Sequence, residues 1–411
     1  MSENWKKETI LFLTSQTISL FGSMLVQYAI TWYITLNTQS GVMMTISIIC
    51  GFLPTFFLAP FAGVWADRYN RKMLIIMSDS LIALATLILA ILFLTGYDAV
   101  WLLFVASAIR AFGTGIQTPA VGAFLPQLVP AEMLTKVNAT NSSIQSLVML
   151  ASPMLSGALL TMARIEAIFL IDVITAVVAV LILLWFLDVP VHAKALEKQT
   201  TGYFTDLREG LVYVKNHGYV RTFFLFNVFF FILIAPAAFL TPLQVARSFG
   251  DEVWRLTAIE ITFSVGMTAG GLIMASWGGF KNKVHTMVFS NLIIGAATFG
   301  LGLIPVFWVY LVLMAIIGLV IPIFNTPATV LLQQKVEEAF LGRVFGVLSM
   351  IASITMPLGM LAYGPLADFI KIEWLLIVTG FFLVVQTLFM LGNKVMIEAG
   401  RPDSDGETAG G

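Results

Sequence analysis

The sequence specifies an all-α membrane protein, with twelve transmembrane helices in two six-helix, pseudo-symmetric bundles. Three observations predict this. Of 411 residues, 59% are hydrophobic and only 11% charged, whereas soluble domains carry about 25% charged residues. Mean hydropathy is +0.93. Apolar runs of the length a bilayer needs, about 20 residues, recur along the chain, six on each side of one long polar segment.

The N-terminal Met-Ser-Glu-Asn-Trp-Lys-Lys leads into an apolar run of about 25 residues, longer than the core of a signal peptide. It is read as the first span and not as a cleavable signal. The predicted spans are 10–36, 41–66, 73–95, 99–125, 138–163 and 165–187, then 221–246, 253–278, 284–304, 306–332, 342–369 and 373–397. The predicted organisation is an N-terminal bundle (1–187), a cytoplasmic linker (188–220), a C-terminal bundle (221–397) and a disordered cytoplasmic tail (398–411) rich in Gly, Asp and Glu. Within the linker, Phe204, Leu207, Leu211 and Val214 recur at helical spacing, with Asp206, Arg208, Glu209 and Lys215 on the other sides. That pattern predicts an amphipathic helix on the membrane surface.

Orientation follows from the cations. Seventeen Lys and Arg fall in segments on the N-terminal side and four on the other, with Arg110 inside a span. The bias predicts that both termini are cytoplasmic. Net charge is −1, so no basic surface for nucleic acid is implied. Cys50 is the lone cysteine and has no disulfide partner in the chain. His192, His217 and His285 lie in or beside polar segments, so no histidine switch is expected inside the bilayer. Phosphate-loop, zinc-ligand and nucleophile-elbow patterns are lacking. No cofactor, no metal and no enzyme activity are expected.

One short stretch organises the rest. Gly63-Val-Trp-Ala-Asp-Arg-Tyr-Asn-Arg-Lys72 joins the second span to the third. Gly63 is expected to admit a neighbouring helix. Asp67, Arg68, Arg71 and Lys72 are expected to pair with helix ends and latch one state. The halves also echo each other. Gln117-Thr-Pro-Ala120 matches Asn325-Thr-Pro-Ala328, Leu134-Thr-Lys-Val-Asn-Ala139 matches Leu341-Gly-Arg-Val-Phe-Gly346, and Trp65 with its basic turn matches Trp277-Gly-Gly-Phe-Lys-Asn-Lys283. Such parallel repeats occur in transporters built by duplication.

Gly63-x-x-x-Asp-Arg-x-x-Arg-Lys72 resembles the cytoplasmic loop signature of the major facilitator superfamily. Asn70 stands where the family has Gly, a residue that also tolerates left-handed backbone. Gly51-Phe-Leu-Pro54, Thr118-Pro-Ala120, the Glu260–Gly271 run and Leu341-Gly-Arg-Val-Phe345 resemble the macrolide-efflux branch of its drug:proton antiporters. The resemblance implies the superfamily fold in a bacterial cytoplasmic membrane, a macrolide-like amphipathic substrate, protons as the coupled ion, the lipid bilayer as surroundings and a monomer. Pro153 with Gly157, and Pro357 with Gly359, loosely resemble the antiporter motif of exporters.

Charges inside the bilayer are costly unless paired or wetted, so they mark candidate sites. Arg110 lies mid-span in Arg110-Ala-Phe-Gly-Thr-Gly115, whose glycines allow close helix approach. Gln117 shares its face. In the resembled family such an arginine is associated with proton coupling. Glu260, which opens a run with Gly266, Gly270 and Gly271 suited to a moving interface, is the first candidate proton carrier. Asp172 and Asp79 are further candidates, although the resemblance places them on outer helices and favours a structural role. Gln16, Gln27 and Asn227 are uncharged polar groups of the first and seventh spans. With Trp32, Phe56, Gln117, Asn325 and Met356 they are expected to line a broad cavity, since aromatic and methionine walls suit large amphipaths.

These readings converge on a proton-coupled multidrug or macrolide exporter working by alternating access. The alternatives are a lysophospholipid flippase or siderophore exporter of the same fold, or a non-transporting membrane sensor or scaffold.

Overall fold

The computed structural model describes residues 5–187 and 203–401. The chain forms two compact units, Met1–Phe204 with Val245–Thr257, and Thr205–Gln244 with Ala258–Gly411. The first contains α1 (Trp5–Thr38), α2 (Gly41–Arg68), α3 (Arg71–Leu94), α4 (Val100–Leu128), a 3₁₀ turn (Ala131–Met133), α5 (Leu134–Met162) and α6 (Ile165–Phe186). After α7 (Tyr203–Asn216), the chain continues through α8 (Gly218–Phe239), α9 (Thr241–Ser248), α10 (Val253–Trp277), α11 (Lys283–Leu303), α12 (Phe307–Lys335), α13 (Glu338–Phe369), α14 (Ile372–Gly392) and α15 (Lys394–Ala399). Among the described residues, twelve helical segments are long and apolar enough to cross a membrane, α8 and α9 together making one of them.

The duplication is visible in the packing. In the first unit α1 packs on α5 and α6, α2 on α4, and α3 on α4 and α6. In the second, α8 packs on α13 and α14, and α11 on α12 and α14. Four of the five pairings thus recur in the same order, that of α2 with α4 having no counterpart among these. Val26, Ile30, Phe93, Leu103 and Phe169 fill one core of the first unit, and Phe12, Ile75, Phe124 and Leu183 another. Phe223, Met287, Leu331, Val344 and Met390 fill the core of the second. Large apolar side chains also face outward, among them Phe57, Trp185, Phe369 and Phe389. Helices satisfy their own backbone, so such faces are stable against lipid.

Several boundaries differ from expectation for local reasons. The span predicted at 221–246 is two helices, because Pro236 lies in the last turn of α8 and Pro242 opens α9. Proline lacks the donor that would carry one helix into the next, yet suits a first turn. The last span stops at Gly392, where the Asn393 side chain accepts from the Met396 amide (3.1 Å) and starts α15. The tail expected to be disordered from 398 is therefore helical to Ala399, and the Gly400 carbonyl accepts from the Lys283 amide. Residues 402–411 lie outside the described residues, as do 188–202 of the linker.

The linker helix exists as α7 but buries a different face. Gly210 is buried, and Tyr213 and Val214 pack on the core, whereas Leu211 is 45% exposed. The reason is its docking site. The Tyr213 ring stacks on Phe340 at 4.5 Å, its hydroxyl accepts from the Glu337 amide, and Arg343 pairs with Glu209 at 3.3 Å. The side chains of Phe204 and Leu207 lie outside the described set.

The two copies of the signature turn differ. Asn70 is extended, not left-handed (φ −61°, ψ 111°), and its side chain accepts from the Met73 amide to start α3. Asn282 caps α11 in the same way. Gly278 and Gly279 have φ of +73° and +84°, a backbone that favours glycine. The acid at position 67 has no counterpart at Gly279 because that turn needs a residue without a Cβ.

Candidate functional site

The first unit buries a charge cluster in its interior. Arg110 is 6% exposed and Asp172 and Asp79 are each 1% exposed. Arg110 on α4 pairs with Asp172 Oδ2 on α6 at 2.5 Å. Its Nη1 also donates to Thr86 Oγ1 on α3, and its Nη2 donates to the Ser23 carbonyl on α1 (3.1 Å). Thr86 Oγ1 donates to Asp172 Oδ2 at 3.0 Å, and Ser23 Oγ to Asp172 Oδ1 at 3.4 Å. Four helices thus meet on one ion pair. Charge-assisted bonds of this kind are the strong ones, and the extra donors are what a desolvated pair requires.

Asp79 forms a second tier. Ser19 Oγ on α1 and Gln117 Nε2 on α4 both donate to its Oδ1, each at 2.7 Å. Its Oδ2 is buried without a hydrogen-bond partner among the described residues, as is Gln16 Nε2. Ser19 and Ser23 are one turn apart on α1, and Arg110 and Gln117 two turns apart on α4. One face of α1 and one face of α4 therefore serve both tiers.

Helix approach makes this possible. A Cβ at Gly22 would lie 2.0 Å from Thr175 Oγ1 and 3.0 Å from Asp172 Oδ1. Only glycine lets α1 sit this close to α6. The expected role of the Arg110–Gly115 run also holds: a Cβ at Gly113 would strike Ile82 on α3, and one at Gly115 would press on Thr55 of α2.

The remaining candidates are distributed as follows. Glu260 is half-buried on α10, in the second unit, while the hydrogen bonds of Arg110 described above all stay within the first. Gly266 and Gly270 were expected to form a moving surface. They bring α10 onto α12, where added Cβ atoms would lie 2.1 Å from the Ala315 carbonyl oxygen and 1.9 Å from that of Leu319. Such backbone contact joins the helices of one unit. Gly271 has open space beside it.

In the signature loop, Arg71 Nε donates to the Ala66 carbonyl and Nη1 to the Ala123 carbonyl, each at 2.9 Å. Lys72 Nζ donates to the Leu187 carbonyl at 2.5 Å. The cations therefore meet the C-terminal parts of α2 and α4 and the end of α6, where partial negative charge accumulates. Arg68 is exposed in the last turn of α2. Gly63, expected to admit another helix, faces open space among the described residues. The side chain of Asp67 lies outside the described set.

The predicted cavity lining divides by environment. Trp32 is 1% exposed and packs on Tyr28 at 5.5 Å, so its ring is core rather than open wall. Gln117 spends a donor on Asp79. Gln27 and Asn325 are exposed, Phe56 and Met356 half-buried, and Asn227 is buried beside a small gap in the second unit. That unit buries amides where the first buries charges. Gln244 donates to the Leu301 carbonyl and accepts from the buried Tyr310 hydroxyl. Asn291 donates to Thr387 Oγ1, and Gln386 to the Phe226 carbonyl.

The sequence reading missed Ser19, Ser23 and Thr86 as partners, and Asn291 and Gln386 altogether. Ser15, Ser19 and Ser23 recur every fourth residue on the first span. That stripe of small polar residues is a helix-contact signal and was the available clue to the first tier.

Comparison with known proteins agrees with this architecture. The family model described as Major Facilitator Superfamily matches residues 12–360. Macrolide efflux protein A of Streptococcus pyogenes is 30% identical over 383 residues, covering 93% of this chain and 94% of its own length. Macrolide efflux protein A of Enterococcus faecalis is 30% identical over 323 residues, covering 78% of this chain and 99% of its own. Among solved structures, a D-xylose-proton symporter shares the fold with a TM-score of 0.70 at 14% identity, covering 98% of this chain and 99% of that one.

Proposed function

The chain belongs to the Major Facilitator Superfamily, and from that premise we propose that it exports amphipathic compounds of the macrolide class, driven by proton entry through the buried cluster of the first unit. It is a multi-pass membrane transporter and not an enzyme. The cation bias of its loops supports a cytoplasmic membrane with both termini inside.

The observation that carries the coupling is the contrast between two acids. Asp172 has a cation and hydroxyl donors on both oxygens, so protonating it would break an ion pair. Asp79 has donors on one oxygen only, and its other oxygen is unpartnered among the described residues. A proton can join or leave Asp79 Oδ2 without breaking an ion pair. Arg110 is the nearby fixed charge through which that change is felt, because rearranging it alters the energy of either ionised acid. Ser19 and Ser23 on α1, and Gln117 and Arg110 on α4, link the tiers, so proton exchange would bias the packing of α1 against α4. Arg71 and Lys72 would hold the far ends of α2, α4 and α6 together while this happens. Glu260, the carrier expected from the sequence, is the second choice, since it lies outside the cluster.

Liposomes containing the purified protein test this. A macrolide should move outward against its gradient when the opposing side is acid, and Asp79→Asn should lose that response while keeping its melting transition. Equal transport with and without a pH difference would defeat the coupling. Proton-driven movement of other amphipaths, with macrolides left in place, would defeat the cargo.

A further inference from the structure

Helix α7 has two unlike faces. One is committed to the protein. Gly210 lies against α13, where an added Cβ would be 3.2 Å from Arg343 Cβ and 3.2 Å from Val347 Cγ2. The Tyr213 ring stacks on Phe340 at 4.5 Å and on His217 at 5.5 Å. Val214 packs on the core, and Glu209 is turned to Arg343.

The opposite face holds Arg208, Leu211, Val212 and Lys215. Spacings of three and four residues put these on one arc of the helix. All four are exposed, Leu211 and Val212 by 45% and 49%. Two apolar side chains thus lie between two cations, and no acid occurs at that spacing.

The depth of α7 follows from its neighbours. Only His217 separates it from α8, whose start at Gly218 also opens a membrane span. His217 is extended (φ −90°, ψ 112°) and its side chain accepts from the Val220 amide, so the chain turns there and does not run on as one helix. The span in α13 begins at Phe340, and α7 lies along Phe340, Arg343 and Val347. The helix therefore sits level with the ends of two spans, at the polar edge of a bilayer. Arg221, exposed in the first turn of α8, adds a third cation at that level.

An exposed apolar pair at that depth can enter the boundary between headgroups and acyl chains. Lys and Arg keep their charged heads in the polar layer while their stems lie along apolar surface. Cations at both ends of the pair favour an anionic layer over a zwitterionic one, each by about fivefold. Free anions in water would account for the cations and leave the apolar pair unexplained.

We propose that Arg208, Leu211, Val212 and Lys215 form a docking surface for anionic phospholipid headgroups, which hold α7 to the leaflet while its other face holds α13. The proposal goes beyond the export reading and depends on neither cargo nor coupling ion. It makes the grip on the start of α13 depend on the charge of the surrounding lipid.

The test uses the full chain in lipid nanodiscs. In a Cys50→Ser background, a nitroxide attached through Val212→Cys reports its surroundings by collision with oxygen, which enters the bilayer, and with a neutral nickel chelate, which stays in water. The oxygen-to-nickel collision ratio should be at least about fivefold higher in discs containing about one third phosphatidylglycerol than in discs of phosphatidylcholine alone. Arg208→Gln with Lys215→Gln should cut that difference to about twofold or less while leaving the melting transition in place. The same ratio in both discs, whether that of water or of membrane, overturns the proposal. So does a lipid difference that survives the double variant. Shielding of the label from both colliders also overturns it, and shows that protein covers the face. Macrolide transport does not enter the measurement, so none of these outcomes bears on the export reading.

Discussion

The two bundles are copies that have diverged in what they bury. Laying Trp65 on Trp277 places Ser78, Asp79 and Thr86 on Ser290, Asn291 and Thr298. Every member of both trios is buried. Laying Gln117-Thr-Pro-Ala on Asn325-Thr-Pro-Ala puts Gly318 where Arg110 stands. Starting α6 and α14 together puts Thr379 in place of Asp172. An acid has become an amide, a second acid a hydroxyl, and the cation a glycine. A Cβ at Gly318 would lie 2.2 Å from the Phe263 carbonyl oxygen, so the slot that holds a cation in one copy admits a neighbouring backbone in the other. The comparison teaches that the same framework tolerates either content. Charge in the first copy is therefore not required to build the bundle.

The severest way to break the comparison is to remove one member of the ion pair. Arg110→Met should destabilise the protein by about 3–5 kcal/mol, because it leaves Asp172 buried without a cation. Adding Asp172→Leu should recover most of that loss, as the neutral second bundle suggests, without restoring pH-driven export. Denaturation in detergent and liposome transport give the two readouts. If the double variant still pumps in response to pH, the charges are only structural.

Close-packing glycines sharpen the contrast next. Gly22→Ala should cost about 1–3 kcal/mol, since Thr175 and Asp172 must move. Gly270→Ala should cost at least as much, because the obstacle is the Leu319 carbonyl. Only the Gly22 variant should alter the pH response of export, since only that glycine adjoins the ion pair. Smaller still, Asp79→Asn makes the first copy resemble the second and should change stability by no more than about 1 kcal/mol, while abolishing the pH response. The mildest change is Lys72→Met. It removes one bond to the end of α6 and should cost about 0.5 kcal/mol, detectable as a small fall in melting temperature.

Much of this was legible beforehand. Span number and the central break follow from hydropathy, because lipid imposes a minimum apolar length. Arg110, Asp172 and Asp79 were visible as charges in apolar runs. Their pairing was not. A sequence shows that Arg110 needs a partner but not which of three acids a four-helix contact brings to it, and Glu260 looked at least as good. The fate of α9 was readable in principle from Thr241-Pro242. The buried face of α7 was not, since Leu211 satisfies the helical period but the docking partner is the remote Phe340–Arg343 segment. The amides of the second unit escaped notice because an uncharged polar residue in a span raises no alarm until its acceptor is seen to lack a donor.

The bonds from Arg71 and Lys72 to Ala66, Ala123 and Leu187 have a practical corollary. Three separate rods are tied at one end by two neighbouring residues, so that end should move as a single piece. Spin labels placed beside those three carbonyls should keep constant spacings throughout a turnover. They would serve as an internal ruler against which displacements elsewhere in the protein can be measured.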